Sequence, residues 1–302
     1  MDFAFNNDLT ILFDEPLSKH SSFKIGGLAK YVILPKCAEE MLEAIEVCRA
    51  NQIKYLVVGN GSNLLFDDNG FDGAVIITKN MKSTEYIYKA DAVYVKCECG
   101  KSLTELANEL GKKHSLAGIE FAYGIPGTVG GAVFMNAGAY GGQMSDLIVE
   151  TEYYDTFNKV LKRITNEEQE FSYRRSVFMS HPEYLIISTT LKLNVGNPED
   201  IIAQMNKNMS ARKEKQPLEY PNAGSIFKRP GAGLFAGKLI EDSGLKGYTV
   251  GGAQISEKHA GFIINLGNAS CADVLTLIEH TKNVVMEKFN VVLECEVIYV
   301  PK

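Results

Sequence analysis

The sequence predicts a mixed α+β protein built as three successive units, residues 1–80, 81–196 and 197–302. Three observations predict it. A chain of 302 residues exceeds the roughly 100 to 200 residues of one ordinary domain. Strand-like and helix-like patterns occur together in each third of the chain. A turn cluster, Gly196-Asn197-Pro198, interrupts the pattern before the last third. With 45% hydrophobic and 23% charged residues the composition is that of a globular protein with a sizeable core.

In the first unit, Tyr31 to Leu34 reads as a short strand, and residues 39 to 52 as a helix because Met41, Ile45 and Cys48 recur at helical spacing. The strand Tyr55 to Val58 runs into Gly59-Asn-Gly-Ser-Asn63, and another strand covers Ala74 to Thr78. The second unit begins with the strand Ala92 to Cys97 and a helix from Leu103 to Lys113, opened by the capping-box pair Ser102 and Glu105. Strands follow at 147 to 155 and 184 to 195, the first rich in β-branched and aromatic residues. The third unit carries a helix near 199 to 213, strands near 252 to 256 and 262 to 265, and a helix from 271 to 287 opened by Ser270 and Asp273. It closes with a strand from Val291 to Val300.

The net charge of −6 and the scatter of basic residues argue against a nucleic-acid partner; the nearest clusters are Lys112-Lys113, Arg174-Arg175 and Arg212, Lys213, Lys215. The opening residues Met1 to Asp8 are acidic and have no apolar core, unlike a signal peptide. No apolar run reaches the roughly 18 residues of a membrane span. A soluble, cytoplasmic protein is expected. Six cysteines at 37, 48, 97, 99, 271 and 295 contain no Cys-x-x-Cys, so no metal site is expected and the thiols read as reduced. Cys97 and Cys99 fall on one face of a strand, where packing is their use.

Two glycine-rich loops stand out. Gly59, Asn60, Gly61, Ser62 and Asn63 follow a strand, but the third glycine and the following helix of a Rossmann fingerprint are missing. What remains is a turn able to offer backbone and side-chain N–H groups to a pyrophosphate, or an ordinary surface turn. The second loop lies in the densest glycine stretch, eight glycines between Gly118 and Gly142. It contains Tyr123, Gly124, Ile125, Pro126, Gly127, Thr128, Gly130, Gly131, Asn136 and Gly138. Its glycines let backbone approach a flat ring or a phosphate, Pro126 stiffens it, and a helix starting at Gly130 would aim its N-terminus at anionic oxygens. Close helix packing through glycine is the competing use. Gly233 to Lys238 has the wrong glycine spacing for a P-loop, and Leu239 stands where Ser or Thr would be needed.

These loops, with Tyr173-Arg-Arg-Ser-Val-Phe178, Asn222-Ala-Gly-Ser-Ile-Phe-Lys228 and Glu294-Cys-Glu-Val297, resemble the UDP-N-acetylenolpyruvoylglucosamine reductases of bacterial peptidoglycan synthesis. The likeness runs from Ser22-Phe-Lys-Ile-Gly-Gly27 to Val297, with the motifs in order, and the chain looks like the shorter type of the family. The resemblance implies the two-subdomain FAD-binding fold of vanillyl-alcohol oxidase followed by a substrate-binding domain, with non-covalent FAD, NADPH as co-substrate and UDP-N-acetylglucosamine enolpyruvate as substrate. The protein is expected to act as a monomer. The implied site residues are Arg174, Ser225 and Glu296 for catalysis, and the two glycine loops for FAD. Lys215 resembles the lysine that meets the substrate diphosphate; Lys228 and Arg229 are the other substrate-binding candidates. Arg229 is a departure, because the longer type of the family carries asparagine there.

The implied chemistry suits these residue types. Hydride addition to the enolpyruvyl methylene builds negative charge on the neighbouring carboxylate. A guanidinium matches that group with two parallel donors. Residue chemistry rates Arg174 and Arg175 alike; the Tyr-Arg-x-Ser match selects Arg174. Ser225 would be the proton donor, a weak acid facing a strong carbon base; outside the resemblance a serine after glycine reads as a turn residue. Alternation in a final strand would put Glu294 and Glu296 on one face with Val292 and Ile298, hinting at partial burial. The resemblance selects Glu296. Another flavin oxidoreductase of the same fold acting on a small alcohol or hydroxy acid would lack a reason for the Arg174, Ser225, Glu296 set. A non-catalytic nucleotide-sugar binding protein would hold no flavin.

Overall fold

The computed structural model describes residues 9–231 and 233–302, so the reading made at Met1 to Asp8 lies outside the described residues. Among the described residues two compact units form. One contains residues 9–11, Val32–Asn60 and Val75–Ala211; the other contains Leu12–Tyr31, Gly61–Ala74 and Arg212–Lys302. This differs from three units in succession, and the reasons are local.

Helix α1 spans Ala38–Ala50 and helix α2 spans Leu103–His114, both within about two residues of the sequence expectation. Ser102 caps α2, its hydroxyl accepting the Glu105 N–H at 3.3 Å, and Ser115 ends the helix in the left-handed region at φ 51°. A largely antiparallel sheet dominates this unit, with strands Val160–Thr165, Ile148–Asp155, Tyr184–Val195, Val93–Glu98 and Thr84–Tyr88 bonded in that order. Val93, Val95 and Cys97 point inward and alternate with half-buried Tyr94, Lys96 and Glu98. They meet Leu103, Leu106 and Leu110 of α2 in the core. Burial raises the Cys97 and Cys99 thiols to about 12, which agrees with a packing role. Helix α3, Val129–Phe134, is a short turn inside the glycine stretch.

Helix α4, Pro198–Lys215, begins at the expected Gly196-Asn197-Pro198 turn, yet its first turns stay with this unit. Ile201 and Met205 press on Gly111, where a Cβ would come within 2.8 Å of the Met205 sulfur. The Asn208 amide donates to the Glu120 carbonyl at 3.0 Å.

In the other unit, strands Asn222–Ser225, Phe262–Asn265, Ala253–Ile255 and Thr249–Val250 make an antiparallel sheet in that order. Helix α5 is Ala236–Asp242 and helix α6 is Cys271–Phe289. The Ser270/Asp273 capping box forms in full, and Asp68 adds a second cap by accepting the Cys271 and Ala272 N–H groups at 2.7 and 3.0 Å. Val274, Leu277, Ile278 and Val285 pack with Ala253, Ile255 and Ile263. Two early segments belong here. Phe23, Ile25 and Leu65 enter the same core, and Leu64–Phe66 pairs in parallel with Ile298–Val300.

The expected closing strand over 291 to 300 is cut to Ile298–Val300. Residues 291 to 297 have no continuous ladder partner and hold on through single bonds: the Lys228 N–H to the Glu294 carbonyl, and the Glu296 N–H to the Ile226 carbonyl. Burial still alternates, with Leu293 and Val297 inside, but Val292 is 70% exposed and Glu294 and Ile298 are exposed too, so on the glutamate face only Glu296 has the partial burial expected.

Candidate flavin and substrate site

In the first unit the two glycine loops meet. The Gly59 backbone lies so close to Thr128 that a Cβ would sit 2.2 Å from its hydroxyl, and the Asn60 amide donates to the Pro126 carbonyl at 2.6 Å. Thr104, which sequence reasoning missed, ties the second loop to α2: its hydroxyl donates to the Ile125 carbonyl at 2.7 Å and accepts the Gly124 N–H at 3.2 Å. Gly124 takes φ 94°. Helix α3 does start next to Gly130 but does not free its first amides for a phosphate. The Val129 N–H donates to Lys101, Gly130 to Cys99 and Gly131 to the Thr128 hydroxyl. Gly130 is closely packed, since a Cβ there would meet that of Cys99 at 2.8 Å.

The same glycine stretch grips the Arg174 turn. Ser172 and Arg175 exchange both backbone bonds, closing a two-residue turn in which Arg174 sits at φ 56°. Asn136, buried and itself at φ 42°, donates to the Ser172 carbonyl at 3.1 Å and accepts the Ser145 N–H at 3.0 Å. Ser176 donates to the Phe134 carbonyl at 2.7 Å. Arg174 is half-buried, its guanidinium donating to the Gly138 carbonyl at 3.3 Å and lying 5.3 Å from the Tyr173 ring centre. Arg175 is exposed and reaches Ser180 at 3.5 Å. Residue chemistry left these two arginines equal, and burial separates them.

Ser225 and Glu296 come together in the other unit, both half-buried. Ser225 ends the edge strand that pairs with Phe262, and the next residue, Ile226, receives the Glu296 N–H at 2.7 Å. Gly224 takes φ 77°, with open space where a side chain would stand. Ser22 braces the serine strand by donating to the Asn222 carbonyl at 2.7 Å, and Asn222 accepts the Gly224 N–H at 2.9 Å. Gly61 sits at φ 60°, packed against the His20 carbonyl, Ser62 is half-buried, and Asn63 turns its amide to the Glu296 carbonyl at 3.0 Å. Glu294 is exposed and pairs with Lys228 at 3.5 Å. Arg229 lies 5.1 Å from the Phe235 ring centre, and Lys215 is exposed at the last residue of α4.

Among the described residues no group of histidine, cysteine, aspartate and glutamate could hold a metal ion. The glycine loops fit a flavin nucleotide: Gly59, Gly124, Ile125 and Gly127 are half-buried while Asn60 and Pro126 are exposed, so backbone poor in side chains stands partly open beside the apolar Ile125. Residues 29–161, which hold both loops, match the family described as FAD binding domain. Residues 216–300, which hold Ser225 and Glu296, match the C-terminal domain of UDP-N-acetylenolpyruvoylglucosamine reductase. The reductase of that name from Caldanaerobacter subterraneus subsp. tengcongensis is 45% identical over 287 residues, covering 95% of this chain and 92% of its own. That from Clostridium botulinum is 47% identical over 297 residues, covering 98% and 94%. The crystal structure of the Thermus caldophilus enzyme matches with a TM-score of 0.79 at 34% identity, covering 97% of this chain and 99% of its own. With both halves matched and the likeness running nearly end to end, the chain belongs to the UDP-N-acetylenolpyruvoylglucosamine reductase family.

Proposed function

We propose that the chain reduces UDP-N-acetylglucosamine enolpyruvate to UDP-N-acetylmuramate, with FAD held non-covalently and NADPH as the hydride source. The observation that carries this is the bond from the Glu296 N–H to the carbonyl of Ile226, the residue next to Ser225, within a stretch that matches the C-terminal domain of this family. A bound FAD would supply two-electron chemistry, by which hydride from NADPH would reach the methylene carbon of the enolpyruvyl ether. The carbon beside the carboxylate then carries the electron pair, spread onto the carboxylate oxygens. Arg174 clamps that carboxylate through two parallel N–H donors, aimed where charge develops. The Ser225 hydroxyl delivers a proton to the carbon, which completes the addition of hydride and proton across the double bond. Glu296 is the second group assigned to the enediolate. Lys215 is assigned to the substrate's diphosphate and Lys228 and Arg229 are the further substrate-binding residues, while Gly59 to Asn63 with Tyr123 to Thr128, Gly130, Gly131, Asn136 and Gly138 line the FAD site.

We place the enzyme in the cytoplasm as a monomer; no helix among the described residues is long and apolar enough to cross a membrane. The test is anaerobic. The purified yellow protein is bleached with NADPH, then mixed with the enolpyruvyl sugar nucleotide. Return of the oxidised flavin absorption within seconds supports the assignment. A flavin that stays bleached with this substrate overturns it.

A further inference from the structure

Glu296 stands in irregular backbone, where no ladder fixes the direction of its side chain. Two bonds do that work. On the N-terminal side its own N–H donates to the Ile226 carbonyl at 2.7 Å. On the C-terminal side its carbonyl accepts the Asn63 amide at 3.0 Å, while the Ile298 N–H donates to the Asn63 carbonyl at 3.0 Å. Asn63 therefore closes a ring around Val297 and supplies what a neighbouring strand would have supplied. With both flanking peptide planes held, the Cα–Cβ bond of Glu296 has one direction, and the same Ile226 carbonyl ties that direction to the adjacent Ser225.

The surroundings hold Asn63 in place. Leu64–Phe66, directly after it, pairs with Ile298–Val300. The Gly61 carbonyl accepts the Ser22 N–H at 3.3 Å, and Gly61 has no room for a Cβ against the His20 carbonyl. We infer that Asn63 is a positioning residue for Glu296: its side-chain amide fixes the peptide carbonyl of Glu296 and thereby aims the Glu296 carboxyl at the reacting ether. The inference rests on the catalytic role proposed for Glu296.

Asn63→Asp tests it, because aspartate keeps the shape and cannot donate; Asn63→Ala serves as the second variant. Three readouts are taken on the FAD-loaded protein: FAD affinity by fluorescence, bleaching by NADPH, and reoxidation by UDP-N-acetylglucosamine enolpyruvate. A fourth is hydrogen exchange of the segment spanning residues 293 to 298. On FAD-saturated protein both variants are expected to reoxidise about 10- to 100-fold more slowly, the cost of a small misplacement, a larger loss than any in bleaching or in FAD affinity, to which the Gly59 to Asn63 loop is also assigned. Exchange in that segment speeds up. In a Glu296→Gln background the Asn63 variants add less than about threefold, since both changes act through one group.

Three results overturn the inference. One is an Asn63→Asp protein that reoxidises or exchanges like wild type. Another is a loss of FAD affinity as large as the loss of rate, which assigns the Asn63 side chain to the cofactor alone. The third is a full multiplicative effect on top of Glu296→Gln. Wild-type reoxidation and the exchange readout separate the two ideas: if wild type does not reoxidise with this substrate the proposed function fails, and unchanged exchange in the Asn63 variants overturns the positioning role by itself.

Discussion

At Arg174 a long charged side chain is kept on backbone that favours glycine, at φ 56°. A non-glycine residue there costs about 1 to 2 kcal/mol, and the turn is held by Asn136 and Ser176 from the glycine stretch. Arg174→Ala is expected to lower the rate of flavin reoxidation by about 10²- to 10³-fold, the usual loss for one preorganised donor. The unfolding free energy should move by less than about 1 kcal/mol. Stopped-flow absorbance and urea denaturation measure the two. Ser225→Ala is expected to bleach normally with NADPH and to fail at reoxidation; turnover near wild type would remove serine as the proton source. The two glutamates separate as well. Glu294 is exposed and its pairing with Lys228 is a surface contact worth little, so Glu294→Gln should leave turnover within about twofold. Glu296→Gln should not.

Among the elements, α3 is held by how closely it approaches the strand behind it. Gly130→Ala would push a methyl to 2.8 Å from the Cys99 Cβ, an overpacking cost of about 1 to 3 kcal/mol, readable as a lower urea midpoint together with weaker FAD binding. Helix α6 is opened by a complete capping box, and Ser270→Ala should cost about 1 kcal/mol. The loop before Phe262 carries a pH dependence. Half-buried His259 accepts the Gly261 N–H at 3.1 Å, packs against Gly237 and stands edge-on to the Phe262 ring. Burial lowers its pKa; a backbone hydrogen bond opposes this in part, nearby Lys246 adds to it, and Glu241 acts weakly the other way. A histidine whose folded pKa lies below its unfolded value stabilises fully above about pH 6.5, and that contribution is lost as pH falls through the folded value. The urea midpoint should therefore drop between pH 7.5 and pH 5, and His259→Asn, which keeps an acceptor near the Nδ1 position, should flatten that drop.

Over the whole molecule, FAD loading should raise stability by mass action, by about 2.7 kcal/mol at a hundredfold excess over Kd; scanning calorimetry with and without FAD measures it, and no shift would count against a flavin site. Much of the fold was legible because it depends on near neighbours. Met41, Ile45 and Cys48 announce α1, Ser270 and Asp273 announce α6, and Gly196 to Pro198 mark the start of α4. The motifs around Arg174, Ser225 and Glu296 were legible too, as were the family and its chemistry, because such short strings keep their residue types in order. The units were not. Ser21 to Ile25 and Asn63 to Phe66 read as parts of an N-terminal unit, yet they pack with residues after 211. The ladder missing at 291 to 297 could not be foreseen either, since a strand pattern shows which faces are apolar but not whether a partner runs alongside. By itself the sequence determined the helices α1, α2, α4 and α6, the glycine loops and the motifs that carry Arg174, Ser225 and Glu296, all set by local sterics and residue chemistry. Only the tertiary structure decided where each polar group turns: Asn60 to Pro126, Asn136 to Ser172, and Asn63 to Glu296 across 233 residues. An amide's partner is fixed by which carbonyl the packed chain brings within 3 Å or so, and chain distance says nothing about that.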